Sequence, residues 1–70
     1  MSTPYSVKLN HLMQQRRESY LLSTSEVQVG GAWKIEYKVN GEVKGVGIAP
    51  QKNAARELAA QQAYANLGGN

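Results

Sequence analysis

The run from Ala32 to Val39, with the dipeptide that follows it, constrains this chain more than any other feature. Trp33, Ile35, Tyr37 and Val39 alternate with Lys34, Glu36 and Lys38, so an extended backbone puts apolar side chains on one face and charges on the other. Asn40-Gly41 comes next, two residues that take positive φ readily and close a two-residue type I′ hairpin. The chain therefore turns back on itself. A returning strand over Glu42–Ile48 follows, and an unbroken register sets Val46 and Ile48 opposite Ile35 and Trp33. The charged face of such an antiparallel pair can stay in water, so one face alone needs covering.

The flanking segments supply that cover. Thr3-Pro4 is a helix start, with Thr as N-cap and Pro at the first helical position, where its missing N–H costs nothing. Tyr5, Leu9, Leu12 and Met13 then fall at i, i+4, i+7 and i+8, the stripe of a helix buried on one side and ending between Gln15 and Glu18. From Ser19 the composition shifts to hydroxyls and strand formers. It predicts a short strand over Tyr20–Ser25 and a loop over Glu26–Gly31, where Gly30-Gly31 frees the backbone. Pro50 opens and Gly68-Gly69 closes a last helix, Gln51–Leu67. In it Ala55, Ala59 and Ala63 recur one turn apart beside Leu58, Tyr64 and Leu67, so small side chains let it sit close to a sheet. The predicted fold is a two-layer α+β sandwich of order α-β-β-β-α, a three-stranded antiparallel sheet with both helices on one face. A single domain spans residues 3–67, with flexible termini at 1–2 and 68–70.

Composition narrows the chemistry. Seventy residues make one domain, near the lower limit for a core without staples. There is no Cys, so no disulfide framework and no thiolate metal site, and a single His rules out histidine-rich centres. Neither an activated nucleophile nor a carboxylate pair is in view, and the expectation is a binding module with no enzymatic activity, no cofactor, no metal and no small-molecule substrate. No apolar run reaches the roughly 20 residues a bilayer requires, and the first residues lack a signal pattern. That gives the expectation of an intracellular protein, cytoplasmic or nuclear, without a membrane partner. Eight basic residues against five acidic leave a net charge of +3 and favour an anionic partner moderately.

Three stretches, taken in order, resemble the double-stranded RNA-binding domain family over nearly the whole chain, from Thr3 to Leu67. Leu9-Asn10-His11-Leu12 stands where the family's first helix reads Leu-Asn-Glu-Tyr. Trp33 to Gly47, with Val39-Asn40-Gly41 at the hairpin and Gly45-Val46-Gly47 beyond it, is similar to the family's aromatic-led strand, turn and Gly-x-Gly. Lys52-Asn53-Ala54-Ala55-Arg56 and the alanines after it follow the family's last-helix pattern, Lys-Lys-x-Ala-Lys and then Ala-Ala-x-x-Ala-Leu. There are departures. His11 replaces a groove-contacting Glu, Asn53 replaces the second Lys, and Val29 stands where the loop between the first two strands carries a groove-entering His, with Glu26 at the loop's edge.

The resemblance implies recognition of duplex RNA by shape. An A-form helix hides its base edges in a narrow major groove and displays 2′-hydroxyls in a shallow minor groove, so a rigid face can span about 16 bp by touching sugars and phosphates. Lys52 and Arg56, one turn apart, are the phosphate-binding candidates, with Gln51 and Asn53 as uncharged donors at the helix start. Asn10 and Gln14, with His11 between them, are the first-helix candidates, because amides both donate to and accept from 2′-hydroxyls. Gln28 is the loop candidate. Each has a plainer alternative: solvation for Lys52 and Arg56 with Glu57 as a weak neighbour of Arg56, an exposed polar helix face for Asn10, His11 and Gln14, and for the loop an extended hairpin with Val27 and Val29 packed beneath Trp33. The partner expected is double-stranded RNA. The alternative is the same fold acting as a protein–protein adaptor or homodimer, and a third reading is an accessory piece of a nucleic-acid-processing enzyme.

Overall fold

A computed structural model describes residues 3–68. The order is α1 (Tyr5–Gln15), a 3-10 turn (Ser19–Leu21), β1 (Leu22–Val29), β2 (Ala32–Val39), β3 (Glu42–Ala49) and α2 (Lys52–Asn66). The strands form one antiparallel sheet of order β1-β2-β3. Both helices lie on the face that carries Ile35 and Tyr37, and the α-β-β-β-α sandwich is as the sequence predicts. The termini expected to be flexible lie outside the described residues apart from Gly68, which turns the chain at φ +79° after α2.

The core is small and alanine-rich. Leu9 and Met13 of α1, Ile35 and Tyr37 of β2, Ala49 of β3, and Ala55, Ala59, Ala60 and Ala63 of α2 are buried, with Tyr5, Leu22, Trp33, Val39 and Leu67 packed around them. Trp33 is therefore a half-buried flank of the core, whereas Tyr37 lies inside it. Asn40 and Gly41 both have positive φ (53° and 81°), as a type I′ turn demands.

The hairpin register differs from the expectation, and the reason is local. Val39 pairs Glu42 and Lys38 pairs Val43, but a bulge then follows and Tyr37 pairs Gly45, leaving Lys44 as the extra residue. One extra residue flips every later side chain to the opposite face. Gly47 now stands opposite Ile35 and Ala49 opposite Trp33, while Val46 and Ile48 pair Glu36 and Lys34 on the outer face. The flip is what lets α2 sit down. A methyl group on Gly45 would come within 2.6 Å of the Ala63 amide nitrogen, and one on Gly47 within 2.6 Å of that of Ala59, each also overlapping a helix carbonyl. Glycines on the sheet and alanines on the helix bring two backbones into contact.

The first strand also departs from expectation. It begins at Leu22 after the 3-10 turn and runs on through Glu26, Val27, Gln28 and Val29, so the predicted loop is strand, closed by the two-residue turn Gly30-Gly31 with Gly30 at φ +61°. The extended-hairpin alternative describes this segment, but Val27 and Val29 pair Lys34 and Ala32 on the outer face and are not beneath Trp33.

Helix α1 is held at its start by a tertiary contact and closed at its end by its own backbone. Pro4, not Thr3, is its N-cap residue. Glu57 of α2 does the capping, accepting hydrogen bonds from the Tyr5 and Ser6 amides at 2.7 and 3.1 Å. Partial burial opposes the Glu57 charge, but the Ser6 and Tyr5 hydrogen bonds outweigh it and the pKa is lowered. Tyr5 meets Tyr64 edge to face, ring centroids 6.0 Å apart. At the other end Arg17 takes a left-handed φ of 57°, its amide bonds the Gln14 carbonyl, and the Glu18 amide bonds that of Met13. This is a Schellman close with arginine where glycine is the usual choice.

Candidate functional site

Helix α2 packs over β2 and β3, α1 packs against α2, and β1 is left largely uncovered. The sequence of β1 reflects this. Leu22, Thr24, Glu26 and Gln28 share the helix-side face, and Leu22 alone among them is apolar. The result is an open cleft lined by Ser6 and Asn10 of α1, Ser19, Leu22, Thr24 and Glu26 along the floor, Tyr37, and Arg56 of α2. Hydroxyl, amide, carboxylate and guanidinium groups meet there on a surface more polar than apolar, with Leu22 as its one aliphatic side chain. Burial raises the Tyr37 pKa, so its hydroxyl keeps its proton.

The basic pair lies beside this cleft as its spacing predicts. Lys52 opens α2 and Arg56 follows one turn later, both part-exposed. The Lys52 ammonium also sits 5.2 Å from the centre of the Trp33 ring, which fixes it over the sheet. What the sequence did not disclose is their partner. Glu26 reaches up from β1 and divides its carboxylate between them, Oε1 at 2.8 Å from Lys52 Nζ and Oε2 at 2.7 Å from an Arg56 guanidinium nitrogen. Hydrogen bonds from Lys52 and Arg56 hold the Glu26 carboxyl below the usual carboxylate range, and the bond to Glu26 raises the Arg56 pKa further. The expected neighbour of Arg56, Glu57, instead faces α1.

The other candidates are distributed as follows. Asn10 is exposed and lines the cleft with Arg56; His11 and Gln14 are exposed on α1. Gln51 is the N-cap residue of α2, and Asn53 is exposed on its first turn. Gln28 is not on a loop: it is an exposed strand residue opposite Trp33, on the same sheet face as Glu26. Val29, which stands where the resemblance places a groove-entering His, is turned to the outer face. The structure thus unites Asn10, Glu26 and Arg56 around one cleft with Lys52 beside it. The loop expected over Glu26–Gly31, with Gln28 as its candidate contact, is strand up to Val29.

The outer face is different in character. Lys34, Glu36 and Lys38 run down its centre, with Lys34 and Glu36 3.9 Å apart, and Val27, Val29, Val43 and Ile48 are exposed around them. On the β3 edge, Gln62 accepts from the Val46 amide and Asn66 donates to the Lys44 carbonyl, so α2 side chains satisfy part of the strand edge. Among the described residues, no helix is long and apolar enough to cross a membrane. A scan against models of known protein families finds no match to this chain, and a search of curated proteins finds no similar sequence.

Proposed function

We propose that this domain binds double-stranded RNA without catalysis and largely without regard to sequence, as a member of the double-stranded RNA-binding domain family that its sequence resembles. The observation that carries the reading is the shared cleft. An α1 amide, Asn10, and an α2 cation, Arg56, line the same open surface with Lys52 beside them. Amides suit 2′-hydroxyls and minor-groove edges, and two cations a helical turn apart suit the phosphates that flank a groove. The A-form duplex presents those two chemistries side by side on a surface of fixed shape. With β1 and β2 joined by a tight turn, the contact from this side falls to strand residues such as Gln28, so affinity is modest.

The test is an NMR titration with a blunt RNA duplex of about 20 bp, long enough for the roughly 16 bp such a face spans. The expected shifts cluster at Asn10, Gln14, Gln28, Lys52 and Arg56, and leave Lys38 and Val43 of the outer face unmoved. Shifts concentrated on the outer face, or none, overturn the reading. A second reading, the protein–protein adaptor or homodimer, is favoured by one observation, the exposed valines and Ile48 around the outer face. A concentration-dependent dimer that takes up no RNA decides for it.

A further inference from the structure

The Glu26 carboxylate occupies the place that the proposed function gives to a phosphate. Its two oxygens accept from an ammonium and a guanidinium, the same donors a phosphate would use, at charge-assisted distances of 2.8 and 2.7 Å. Donors committed to Glu26 cannot serve a second anion in the same geometry. We propose that Glu26 is a built-in competitor for the α2 cation pair, an internal anion that holds Lys52 and Arg56 in binding geometry in the free protein and must be displaced when a phosphate docks. The inference rests on the duplex RNA reading for its ligand but makes its own claim about the site.

Three features of the structure support an exchange over a permanent structural bridge. The pair is exposed: the Lys52, Arg56 and Glu26 side chains are 42, 38 and 30% accessible, so water and ligand reach them. Exposed pairs of this kind are weak, and many contribute little to folding. The displaced carboxylate also has somewhere to go, since the cleft around it carries the Asn10 amide and the Thr24 and Tyr37 hydroxyls. Lys52 keeps its seat over Trp33 in either state. Glu26 therefore lowers affinity and raises selectivity, because an anion must offer two oxygens in a geometry that beats a carboxylate already in place.

The experiment compares wild type, Glu26→Gln and Glu36→Gln, titrated with the RNA duplex and separately with inorganic phosphate, following the Lys52 and Arg56 side-chain resonances. Glu36→Gln removes an equal charge from the outer face, and so controls for net charge. Melting curves for all three verify the fold. Glu26→Gln should bind the duplex more tightly by roughly twofold to thirtyfold, the scale of two exposed ion pairs. It should also take phosphate at correspondingly lower concentration, with Glu36→Gln close to wild type. Equal phosphate curves for Glu26→Gln and wild type, or equal gains in both variants, overturn the proposal. If no protein binds RNA while Glu26→Gln still takes phosphate more readily, the competitor stands and the RNA reading falls. If all three bind RNA and phosphate alike, the RNA reading stands and the competitor falls.

Discussion

Replacing Gly47 with alanine should separate the helix from the sheet. The new Cβ would stand 2.6 Å from the Ala59 amide nitrogen and 2.8 Å from the Leu58 Cβ, and would overlap the Ala55 carbonyl oxygen. None of these is a flexible side-chain end that could swing aside. Ordinary contact needs about 3.4 Å or more, so α2 has to lift by roughly 1 Å, and gaps of that size forfeit a quarter to a half of the dispersion energy of each contact. Overpacking costs typically about 1–3 kcal/mol, and backbone against backbone belongs at the upper end. In a domain holding about 3–5 kcal/mol in total that is most of its stability. At about 4–8 °C per kcal/mol the melting temperature should fall by roughly 10–25 °C. Thermal and urea unfolding measure it, with Gly31→Ala as the control. Gly31 has nothing within 4 Å and no positive φ, so its change should stay within about 0.5 kcal/mol. Gly45→Ala should behave like Gly47→Ala. The double variant should cost less than the sum, because a helix already lifted accommodates the second methyl cheaply. A Gly47→Ala protein melting within about 2 °C of wild type would refute the close-contact account.

Two further predictions concern the other contacts of α2. Glu57→Ala should destabilise the fold by about 1 kcal/mol, the usual value of a helix cap. Because the folded-state pKa of Glu57 is lowered, its contribution is complete above the ordinary value of 4.5 and is lost as pH falls through the lowered one, so the variant's stability should decline less steeply over that acid window. Lys52→Ala and Arg56→Ala should each weaken duplex binding and reduce the slope of log K against log salt by about one phosphate-equivalent. Unchanged slopes would mean that those side chains never reach the RNA backbone.

What the sequence disclosed was local. The strand Ala32–Val39 and its Asn40-Gly41 turn were legible because alternation and turn chemistry act within a few residues. The Leu9–Met13 stripe was legible because α1 buries one side only. The β3 register was not, because the bulge at Lys44 is selected by a helix docking from a distant segment. Even so, Gly45-Val46-Gly47 followed by alanines at helical spacing carried the signal. The extent of β1 was misread because apolar Val27 and Val29 point outward while polar Thr24, Glu26 and Gln28 point toward the helices, inverting the usual pattern. That inversion exists because α1 leans on α2 and leaves the β1 floor open. The Glu26 and Glu57 contacts, which shape the cleft and cap α1, join residues 26 to 52 positions apart and leave no local trace. Lys52, Arg56 and Asn10 were found as site candidates through the resemblance, and the acid that binds the two cations was noticed only as a charge at a loop edge.

The most direct test of the central claim is the ratio of affinities for an RNA and a DNA duplex of equal length and sequence, titrated at one fixed salt concentration. Phosphate charge alone binds both duplexes about equally, so the ratio isolates groove shape and the 2′-hydroxyls. With Asn10 and Arg56 sharing a cleft, the account predicts a clear preference for RNA, and an RNA duplex of scrambled sequence binding as well as the first. Equal affinity for RNA and DNA would contradict it and leave a generic polyanion-binding surface.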